Sequence, residues 1–209
     1  MGTDKIWKKA ENALIYALKK SKLKYNKAIG EAVFYGPKID IHLMDSLGRT
    51  WQGPTIQVDF NFPEKFDLTY INEKGKKQRV VMIHRTVLGA MERFVGCLLE
   101  NYGGALPLWL SPEQIWIIPV GSRHMKYANF VNEQLTINNL RTQPKDENET
   151  VSKKIREGEI QKIPYLLVVG DKEIKSKSVR IRQRGKGDIG EMKLEKFLEK
   201  VKIEVEKKK

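Results

Sequence analysis

The segment Met82–Phe94 constrains the fold most, because a strand pattern changes there into a helix pattern with no linker between them. Residues 78–83 predict a strand, and from Val87 onward apolar residues recur at helical spacing. Small residues occupy the other side of the helical wheel, around Arg93. Such a surface suits a phosphate or a purine, although a core helix with one solvated arginine is the alternative. The predicted apolar face comprises Val87, Leu88, Met91, Phe94, Val95, Leu98 and Leu99.

Two residues beside this helix favour a ligand site over a solvated arginine. His84 lies where the predicted strand meets the helix, and Arg85 follows it directly. The pattern His-Arg-x-x-x-Gly-x-Met-Glu-Arg-Phe resembles motif 3 of the class II aminoacyl-tRNA synthetases, in the form typical of the threonyl-tRNA synthetase family. In that motif the helix arginine binds ATP. The resemblance therefore implies that Arg93 is an ATP-binding and catalytic residue.

Two segments upstream carry the same resemblance, in the order and spacing of the family. Residues 34–40 read Phe-Tyr-Gly-Pro-Lys-Ile-Asp, and residues 51–60 read Trp-Gln-Gly-Pro-Thr-Ile-Gln-Val-Asp-Phe. The dipeptide Gly36-Pro37 predicts a rigid, extended segment before the first strand. The resemblance implies further site residues: Lys38 at the phosphates as a catalytic residue, Gln52 and Thr55 at ATP, and Tyr35, Gln57 and His84 at threonine.

The first half of the chain predicts a helix and at least three strands, which we expect to form one antiparallel sheet. The helix covers residues 4–20, with Thr3 or Asp4 as its N-cap, and the strands lie near residues 39–43, 55–60 and 79–84. Residues 61–77 predict a loop or loose hairpin. The polar face of the sheet is either solvated or the floor of a substrate site; it comprises Lys38, Asp40, His42, Thr55, Gln57 and His84.

Glycine and proline residues near position 108 predict a domain boundary, with domains at 1–108 and 109–209. After the boundary, strand and helix patterns alternate as in a small α/β domain. This part resembles the anticodon-binding domain shared by threonyl, prolyl, glycyl and histidyl enzymes. The predicted fold class is therefore α/β: the α+β end of a class II catalytic domain with its antiparallel sheet, followed by a small α/β domain.

A basic segment lies within the second domain. Six cations and no acid occur between Glu173 and Asp188, and Arg180, Arg182 and Arg184 share one strand face at the two-residue period. Aligned arginines can donate to a nucleic-acid backbone or to bases, but charges also protect a solvated edge strand from pairing. The resemblance implies that Asn148, Glu173 and Arg182 contact the anticodon.

Composition limits the class of protein further. The chain is 40% hydrophobic and 31% charged, which is typical of a soluble globular protein, and its net charge of +13 indicates a polyanionic partner. The excess charge is divided almost evenly between the two predicted domains. Apolar runs are too short for a membrane span, and a single cysteine is typical of a reducing compartment, so we expect a cytoplasmic protein.

The resemblance implies a zinc ion that binds threonine, and Mg²⁺ together with ATP. His84 matches one of three protein ligands of that zinc, whereas Cys97, His42 and His124 lie outside the matching motifs. We expect the other ligands, motifs 1 and 2 and the editing domain to precede this chain, so that it is a fragment of a homodimeric enzyme that is inactive alone. Ala90 departs from the serine of many relatives, which puts a hydroxyl contact there in doubt.

The resulting prediction is a threonine–tRNA ligase that activates threonine with ATP and transfers it to tRNA(Thr). The alternative is a non-catalytic tRNA- or RNA-binding accessory protein built from synthetase parts. Retention of the motif residues favours the enzyme, because an accessory protein has no need of them. Another class II specificity, such as prolyl, is a third possibility, against which the His84-Arg85 pair and residues 51–60 argue.

Overall fold

A computed structural model describes residues 2–146 and 148–208. Contacts between residues divide the chain into two units, one ending at Asn101 and the other beginning at Tyr102. Residues 105–108 pack within the second unit, since Arg184 bonds the main-chain carbonyls of Ala105 and Leu106 and Leu108 lies in the core. The boundary near residue 108 stays a prediction, a few residues after the division that the contacts give.

The first unit is built on a three-stranded antiparallel sheet in the order β1-β2-β5. A two-stranded ribbon of β3 and β4 lies between β2 and β5 in the chain. Its helices and strands are α1 (Asp4–Lys20), β1 (Lys38–Met44), β2 (Thr50–Asp59), α2 (Asn61–Lys65), β3 (Thr69–Ile71), β4 (Lys77–Arg79), β5 (Met82–Thr86) and α3 (Met91–Tyr102). Thr3 caps α1 by accepting a hydrogen bond from the main-chain N–H of Ile6, as one of the two predicted N-caps.

Two predictions for this unit are wrong in detail. The single strand predicted over residues 78–83 is two strands, since β4 pairs with β3 whereas β5 pairs with β2. The helix expected from Val87 begins only at Met91. Gly89 has a φ of +73°, and a Cβ there would lie 2.7 Å from the carbonyl oxygen of Gly53. The chain therefore bends closely over β2 before the helix starts, and this close approach requires glycine.

The outcome for the other elements of the first unit is mixed. The loose hairpin predicted within residues 61–77 is present as β3 and β4, but the short helix α2 was not predicted. In α3 the predicted apolar face buries no residue: Met91, Val95 and Leu99 are exposed, and Phe94 and Leu98 are half-buried.

The second unit is a five-stranded mixed sheet in the order β10-β9-β8-β6-β7. Strand β6 is parallel to β7 and β8, and β9 and β10 continue antiparallel. Its elements are β6 (Ile115–Pro119), α4 (Met125–Ile137), β7 (Thr142–Pro144), α5 (Val151–Ile160), β8 (Tyr165–Val169), α6 (Asp171–Ser176), β9 (Ser178–Gln183), β10 (Gly187–Lys193) and α7 (Leu194–Glu206). The alternating pattern is confirmed, whereas α6 and β10 were not predicted.

Apolar side chains fill both faces of this sheet. The larger cluster packs residues of β6, β8 and β9 against α4 and α7, with Phe197 of α7 fully buried. The smaller cluster lies on the other face, where Trp116, Ile118 and Leu166 pack against Val151 and Ile155 of α5. Continuous burial of β6 and β8 explains their uninterrupted apolar sequences, since a strand covered on both faces needs no polar alternation.

Candidate functional site

A cavity of about 280 Å³ lies in the first unit, at the end of β2. Residues from four separate segments meet there because β2 lies between the segment before β1 on one side and β5 on the other. The lining residues are Phe34, Tyr35, Gln57, Asp59, Asn61, Phe62 and His84. All three residues predicted for threonine, Tyr35, Gln57 and His84, are therefore at one cavity.

Tyr35 is placed by the segment that runs alongside β2. Its carbonyl accepts a hydrogen bond from the N–H of Phe60 at 2.9 Å, and Pro37 accepts one from Val58 at 3.1 Å. Between them, a Cβ at Gly36 would lie 1.8 Å from the carbonyl oxygen of Val58, so only glycine permits this approach. The predicted rigid segment thus positions the Tyr35 ring at the cavity.

Two buried polar atoms at this cavity have no hydrogen-bond partner within the described part of the chain. The Tyr35 hydroxyl donates to Oε1 of Gln57 at 3.2 Å, which leaves the Gln57 amide nitrogen, Nε2, unpaired. Oδ1 of Asn61 is unpaired as well. Buried polar groups are nearly always hydrogen-bonded, so a free donor and a free acceptor at one cavity favour a polar ligand that carries both functions.

His84 is oriented by a buried carboxylate. Its Nε2 lies 2.7 Å from Oδ2 of Asp59, and the other carboxylate oxygen accepts from the main-chain N–H groups of Asn61 and Phe62. Burial by itself raises the pKa of Asp59, but the hydrogen bonds from His84 and from the two N–H groups outweigh it and hold that pKa below its usual value. Sequence reasoning assigned no role to Asp59 or Asn61.

The described residues do not complete a zinc site. No three of their His, Cys, Asp and Glu side chains come together in a group that could hold a metal ion. A carboxylate-bound imidazole is the usual state of a metal-ligating histidine, so His84 fits as one ligand. Cys97 and His42 do not line the cavity, which agrees with their position outside the motifs.

Three of the residues predicted for ATP and its phosphates, Lys38, Gln52 and Thr55, converge on the carboxylate of Asp40. Oδ1 of Asp40 accepts from the Thr55 hydroxyl at 2.8 Å and from the Gln52 amide at 2.9 Å, and Oδ2 pairs with Lys38 at 2.5 Å. Burial raises the pKa of Asp40, but these partners more than compensate and lower it. Lys38, Gln52 and Thr55 therefore form a connected network around one carboxylate, whereas Gln57 and His84 of the polar sheet face bond Tyr35 and Asp59 instead.

Arg93 is attached to the same strand as Gln52 and Thr55. Its Nη1 donates to the carbonyl oxygen of Gln52 at 2.9 Å, and its guanidinium carbon lies 5.5 Å from the centre of the Trp51 ring. Arg93 of α3 and the carboxylate of Asp40 on β1 therefore both contact strand β2. Their roles toward ATP stay predictions.

The three residues predicted for the anticodon occupy different settings in the second unit. Asn148 is exposed before α5, Glu173 is buried in α6, and Arg182 lies on β9. Oε2 of Glu173 accepts from the N–H of Gly170 at 2.9 Å, and Arg182 pairs with Glu159 at 3.0 Å. No hydrogen bond or ion pair joins any two of the predicted three across residues 148–208.

The arginine face of β9 is not a row of free donors. Arg180 pairs with Asp188 at 2.8 Å. Arg184 donates to the main-chain oxygens of Lys162, Ala105 and Leu106, and burial lowers the pKa of its guanidinium. The prediction that Arg184 is available to nucleic acid is wrong, because this side chain ties residues 105–106 to the sheet of the second unit.

Comparison with protein families assigns both units. Residues 2–102 match the family described as "tRNA synthetase class II core domain (G, H, P, S and T)", and residues 114–204 match the "Anticodon binding domain" family. Fold and sequence together define a class II aminoacyl-tRNA synthetase core followed by its anticodon-binding domain.

Relatives identify the branch of that class. The chain is 52% identical to the threonine–tRNA ligase of Carboxydothermus hydrogenoformans, across 100% of this chain and 33% of the relative. It is 49% identical to that of Caldanaerobacter subterraneus subsp. tengcongensis, across 98% of this chain and 32% of the relative. The chain belongs to the threonyl-tRNA synthetase family and corresponds to its C-terminal region. It spans about a third of the length of these relatives.

Solved structures agree with this family. The RNA binding domain of threonyl-tRNA synthetase from Cryptosporidium parvum Iowa II superposes with a TM-score of 0.89 at 37% identity, over 98% of this chain and 52% of that one. A putative threonyl-tRNA synthetase from Aeropyrum pernix has a TM-score of 0.71 at 28% identity, over 100% of this chain and 51% of that one. Among residues 2–146 and 148–208, no helix combines the length and apolarity that crossing a membrane requires.

Proposed function

We propose that this chain is the C-terminal part of a threonine–tRNA ligase, in which the first unit helps activate threonine with ATP and the second binds the anticodon of tRNA(Thr). The observation that carries the proposal is the cavity at the end of β2. It brings Tyr35, Gln57 and His84 together and leaves a buried donor and a buried acceptor unpaired. Threonine offers a carboxylate, an ammonium and a hydroxyl group, and so matches both free atoms.

Activation joins the threonine carboxylate to the α-phosphate of ATP and releases pyrophosphate, and a second step transfers the acyl group to a hydroxyl of the terminal ribose of tRNA and releases AMP. Both steps depend on positioning and on neutralising phosphate charge. In our proposal Arg93, Gln52 and Thr55 hold ATP, and Lys38 faces the phosphates after exchanging Asp40 for them. Mg²⁺ accompanies the nucleotide.

Discrimination against valine is the main demand on the amino-acid pocket. An apolar pocket distinguishes a hydroxyl from a methyl group poorly, whereas unpaired buried polar groups penalise the ligand that cannot bond them. We propose that Gln57 and Asn61 contribute in this way, and that His84, held by Asp59, is one zinc ligand once the rest of the protein supplies the others. When bound, zinc acts as a Lewis acid toward the amino and hydroxyl groups of threonine.

The anticodon role is tested by binding this chain to tRNA with a threonine anticodon and to tRNA with an altered anticodon, at one fixed salt concentration. Arg182→Ala is the test variant, and Arg180→Ala is its matched control on the same strand. We expect Arg182→Ala to lose about 1–3 kcal/mol of discrimination. If both tRNAs bind equally and binding depends steeply on salt, the second unit binds tRNA through its charge and does not discriminate between anticodons.

Activation distinguishes the enzyme from an accessory RNA-binding protein. In the complete protein, threonine-dependent exchange of pyrophosphate into ATP should fall at least 100-fold in Gln57→Ala, an order-of-magnitude expectation for a group that bonds the substrate. Asn72→Ala, in the turn between β3 and β4, is the control. A rate of pyrophosphate exchange that is the same in Gln57→Ala as in the wild type would contradict the proposed pocket.

A further inference from the structure

Asp45 is a fully buried carboxylate outside every site described above. It lies in the turn between β1 and β2 and accepts four hydrogen bonds. Oδ1 accepts from the main-chain N–H groups of Leu47 and Arg49 at 3.0 and 2.8 Å, which is the usual work of aspartate in a turn. Oδ2 instead accepts from two side chains, Nε of Arg49 at 2.5 Å and Nε1 of Trp51 at 2.8 Å. The turn itself does not require those two bonds.

Both side chains that donate to Oδ2 connect Asp45 to Arg93 or to its helix. The guanidinium carbons of Arg49 and Arg93 lie 5.6 and 5.5 Å from the centre of the Trp51 ring, so the indole contacts both cations. Arg49 also reaches Glu100 on α3 at 3.7 Å. Asp45 thus holds the edge of the ring whose face supports Arg93, and it anchors the second cation that bridges to the same helix.

The Arg93 guanidinium therefore has two restraints. The hydrogen bond to the Gln52 carbonyl fixes the position of one nitrogen, at 2.9 Å, and the guanidinium carbon lies 5.5 Å from the centre of the Trp51 ring. A hydrogen bond alone leaves rotation about its axis free, and a second contact with an aromatic ring limits that rotation. The plane matters because a guanidinium recognises phosphates and purines through its planar geometry.

We propose that Asp45 is a positioning residue for Arg93 and acts through the indole of Trp51. The inference rests on the proposed function insofar as Arg93 meets ATP, but the restraint on Arg93 is a property of the chain itself. Asp45 does not contact the nucleotide. It sets the plane of the guanidinium before ATP arrives, and so lowers the entropy that binding must remove.

The ionised carboxylate suits this task. Burial raises the pKa of Asp45, but the hydrogen bonds from Trp51, Arg49 and the main chain outweigh burial and lower it to about 2. Asp45→Asn keeps the shape of the side chain. With its amide oxygen on the two turn N–H groups, its amide nitrogen cannot accept from Trp51 and Arg49, so the variant removes the link to both side chains and the charge that pairs with Arg49.

The direct test is NMR of the whole chain, observing the Nε–H groups of Arg93 and Trp51. In Asp45→Asn we expect the Trp51 indole resonance to shift and the Arg93 Nε–H order parameter to fall below about 0.6, the range of flexible groups. Affinity for Mg²⁺-ATP, measured by calorimetry, should weaken about 2- to 5-fold, which corresponds to the roughly 0.5–1 kcal/mol that an exposed cation–aromatic contact contributes. The control is Asp67→Asn, an exposed aspartate that pairs with Arg79.

Two ring variants keep the test valid if Asp45→Asn disturbs the turn. Trp51→Leu removes the aromatic face and should mobilise Arg93 more strongly than Asp45→Asn. Trp51→Phe retains a face but not the N–H donor, so it should loosen Arg93 about as much as Asp45→Asn. A purely structural role for Asp45 would not produce this graded response in one guanidinium.

The outcomes separate the two proposals. An Arg93 order parameter that does not change in Asp45→Asn and Trp51→Leu would overturn the positioning role, whatever the nucleotide does. If Arg93 loosens as expected, the positioning role is supported. If Arg93→Ala then leaves Mg²⁺-ATP binding unchanged, the proposed ATP role of Arg93 fails by itself.

Discussion

The two units of this chain bury different kinds of residue. In the second unit, strands β6 and β8 and helices α4, α5 and α7 enclose two apolar clusters. In the described residues of the first unit, the buried apolar side chains are Ala10, Val58 and two prolines, Pro37 and Pro63, whereas Asp45, Asp59 and Asn61 are buried polar ones. The apolar residues Met91, Val95 and Leu99 of α3 are exposed.

This difference teaches where the stability of each unit originates. The second unit encloses its own core, so apolar burial accounts for most of its stability. The first unit depends more on hydrogen bonds to buried carboxylates, and Met91, Val95 and Leu99 of α3 add no buried apolar surface. The same carboxylates orient Trp51 and His84, so the groups that support this fold also support the site.

Truncation of an apolar side chain should give the largest difference in unfolding free energy between the two units. Phe197 of α7 is fully buried and meets the Tyr165 ring edge-on at 5.4 Å, so Phe197→Ala should cost about 3–5 kcal/mol in unfolding free energy. Leu99 of α3 is 44% exposed, and Leu99→Ala should cost less than about 1 kcal/mol. Urea unfolding followed by hydrogen exchange in each unit measures both. Similar costs would contradict the comparison.

Two arginines of the basic segment should differ by the next largest amount. Arg184→Ala removes the donor to the part-buried carbonyl of Ala105 and one of two donors to that of Leu106, which the Ser111 hydroxyl also bonds, and we expect this to cost about 1–3 kcal/mol. Arg180→Ala, the control, breaks an exposed ion pair with Asp188 and should cost about 0–1 kcal/mol. Thermal unfolding of the second unit distinguishes them. An equal loss would mean that Arg184 does not tie residues 105–106 to the sheet.

Lowering the pH should show how much ionised Asp45 contributes to the stability of the first unit. The pKa of this buried carboxyl, raised by burial but lowered further by its hydrogen bonds, is about 2 against an ordinary 3.8. Because the folded-state pKa is the lower one, the ionised group stabilises fully above pH 3.8, and this contribution is lost as the pH falls through 2. The stability difference between wild type and Asp45→Asn should therefore shrink as the pH falls toward 2.

The measurement is hydrogen exchange of β2 amides over a pH series, with Asp188→Asn in the second unit as the control. That control should alter the acid response of the second unit and leave β2 unchanged. If the stability difference between wild type and Asp45→Asn stays constant with pH, the hydrogen-bond partners of Asp45 do not lower its pKa.

The smallest expected effect compares equivalent helix caps. Thr3 caps α1 and Thr150 caps α5, each by accepting from the N–H three residues on. Thr150→Ala should cost about 1 kcal/mol, the usual value of an N-cap. Thr3→Ala should cost only a few tenths, since α1 buries Ala10 alone and can fray locally. Circular dichroism during urea unfolding checks both, and a larger loss for Thr3 would reverse the comparison.

Much of the second unit was predictable because its residues have consistent patterns. The uninterrupted apolar segment Tyr165–Val169 coincides with β8, and the helical spacing over residues 151–160 coincides with α5. Strand β10 was missed because Gly187 and Gly190 interrupt any alternation, and its pairing with β9 contains an irregularity at that point. Helix α6 is too short for a period to appear.

The first unit was predictable in its motifs and less so in its geometry. Residues 34–40, 51–60 and 82–94 indicated the family from their order alone. The late start of α3 depends on how closely Gly89 approaches Gly53, which no local pattern contains. Likewise, no local pattern predicts the hydrogen bond between the side chains of Asp45 and Trp51.

The sequence by itself determined which residue types stand at which spacing, and therefore the family, the two-part organisation and the candidate residues of each site. The tertiary structure alone decided which of those residues meet. It joined Lys38, Gln52 and Thr55 to Asp40, placed Asp59 on His84, and turned Arg184 from a candidate nucleic-acid donor into a structural contact. The physical reason is that hydrogen bonds act over about 3 Å between atoms far apart in the chain, a distance that only packing sets.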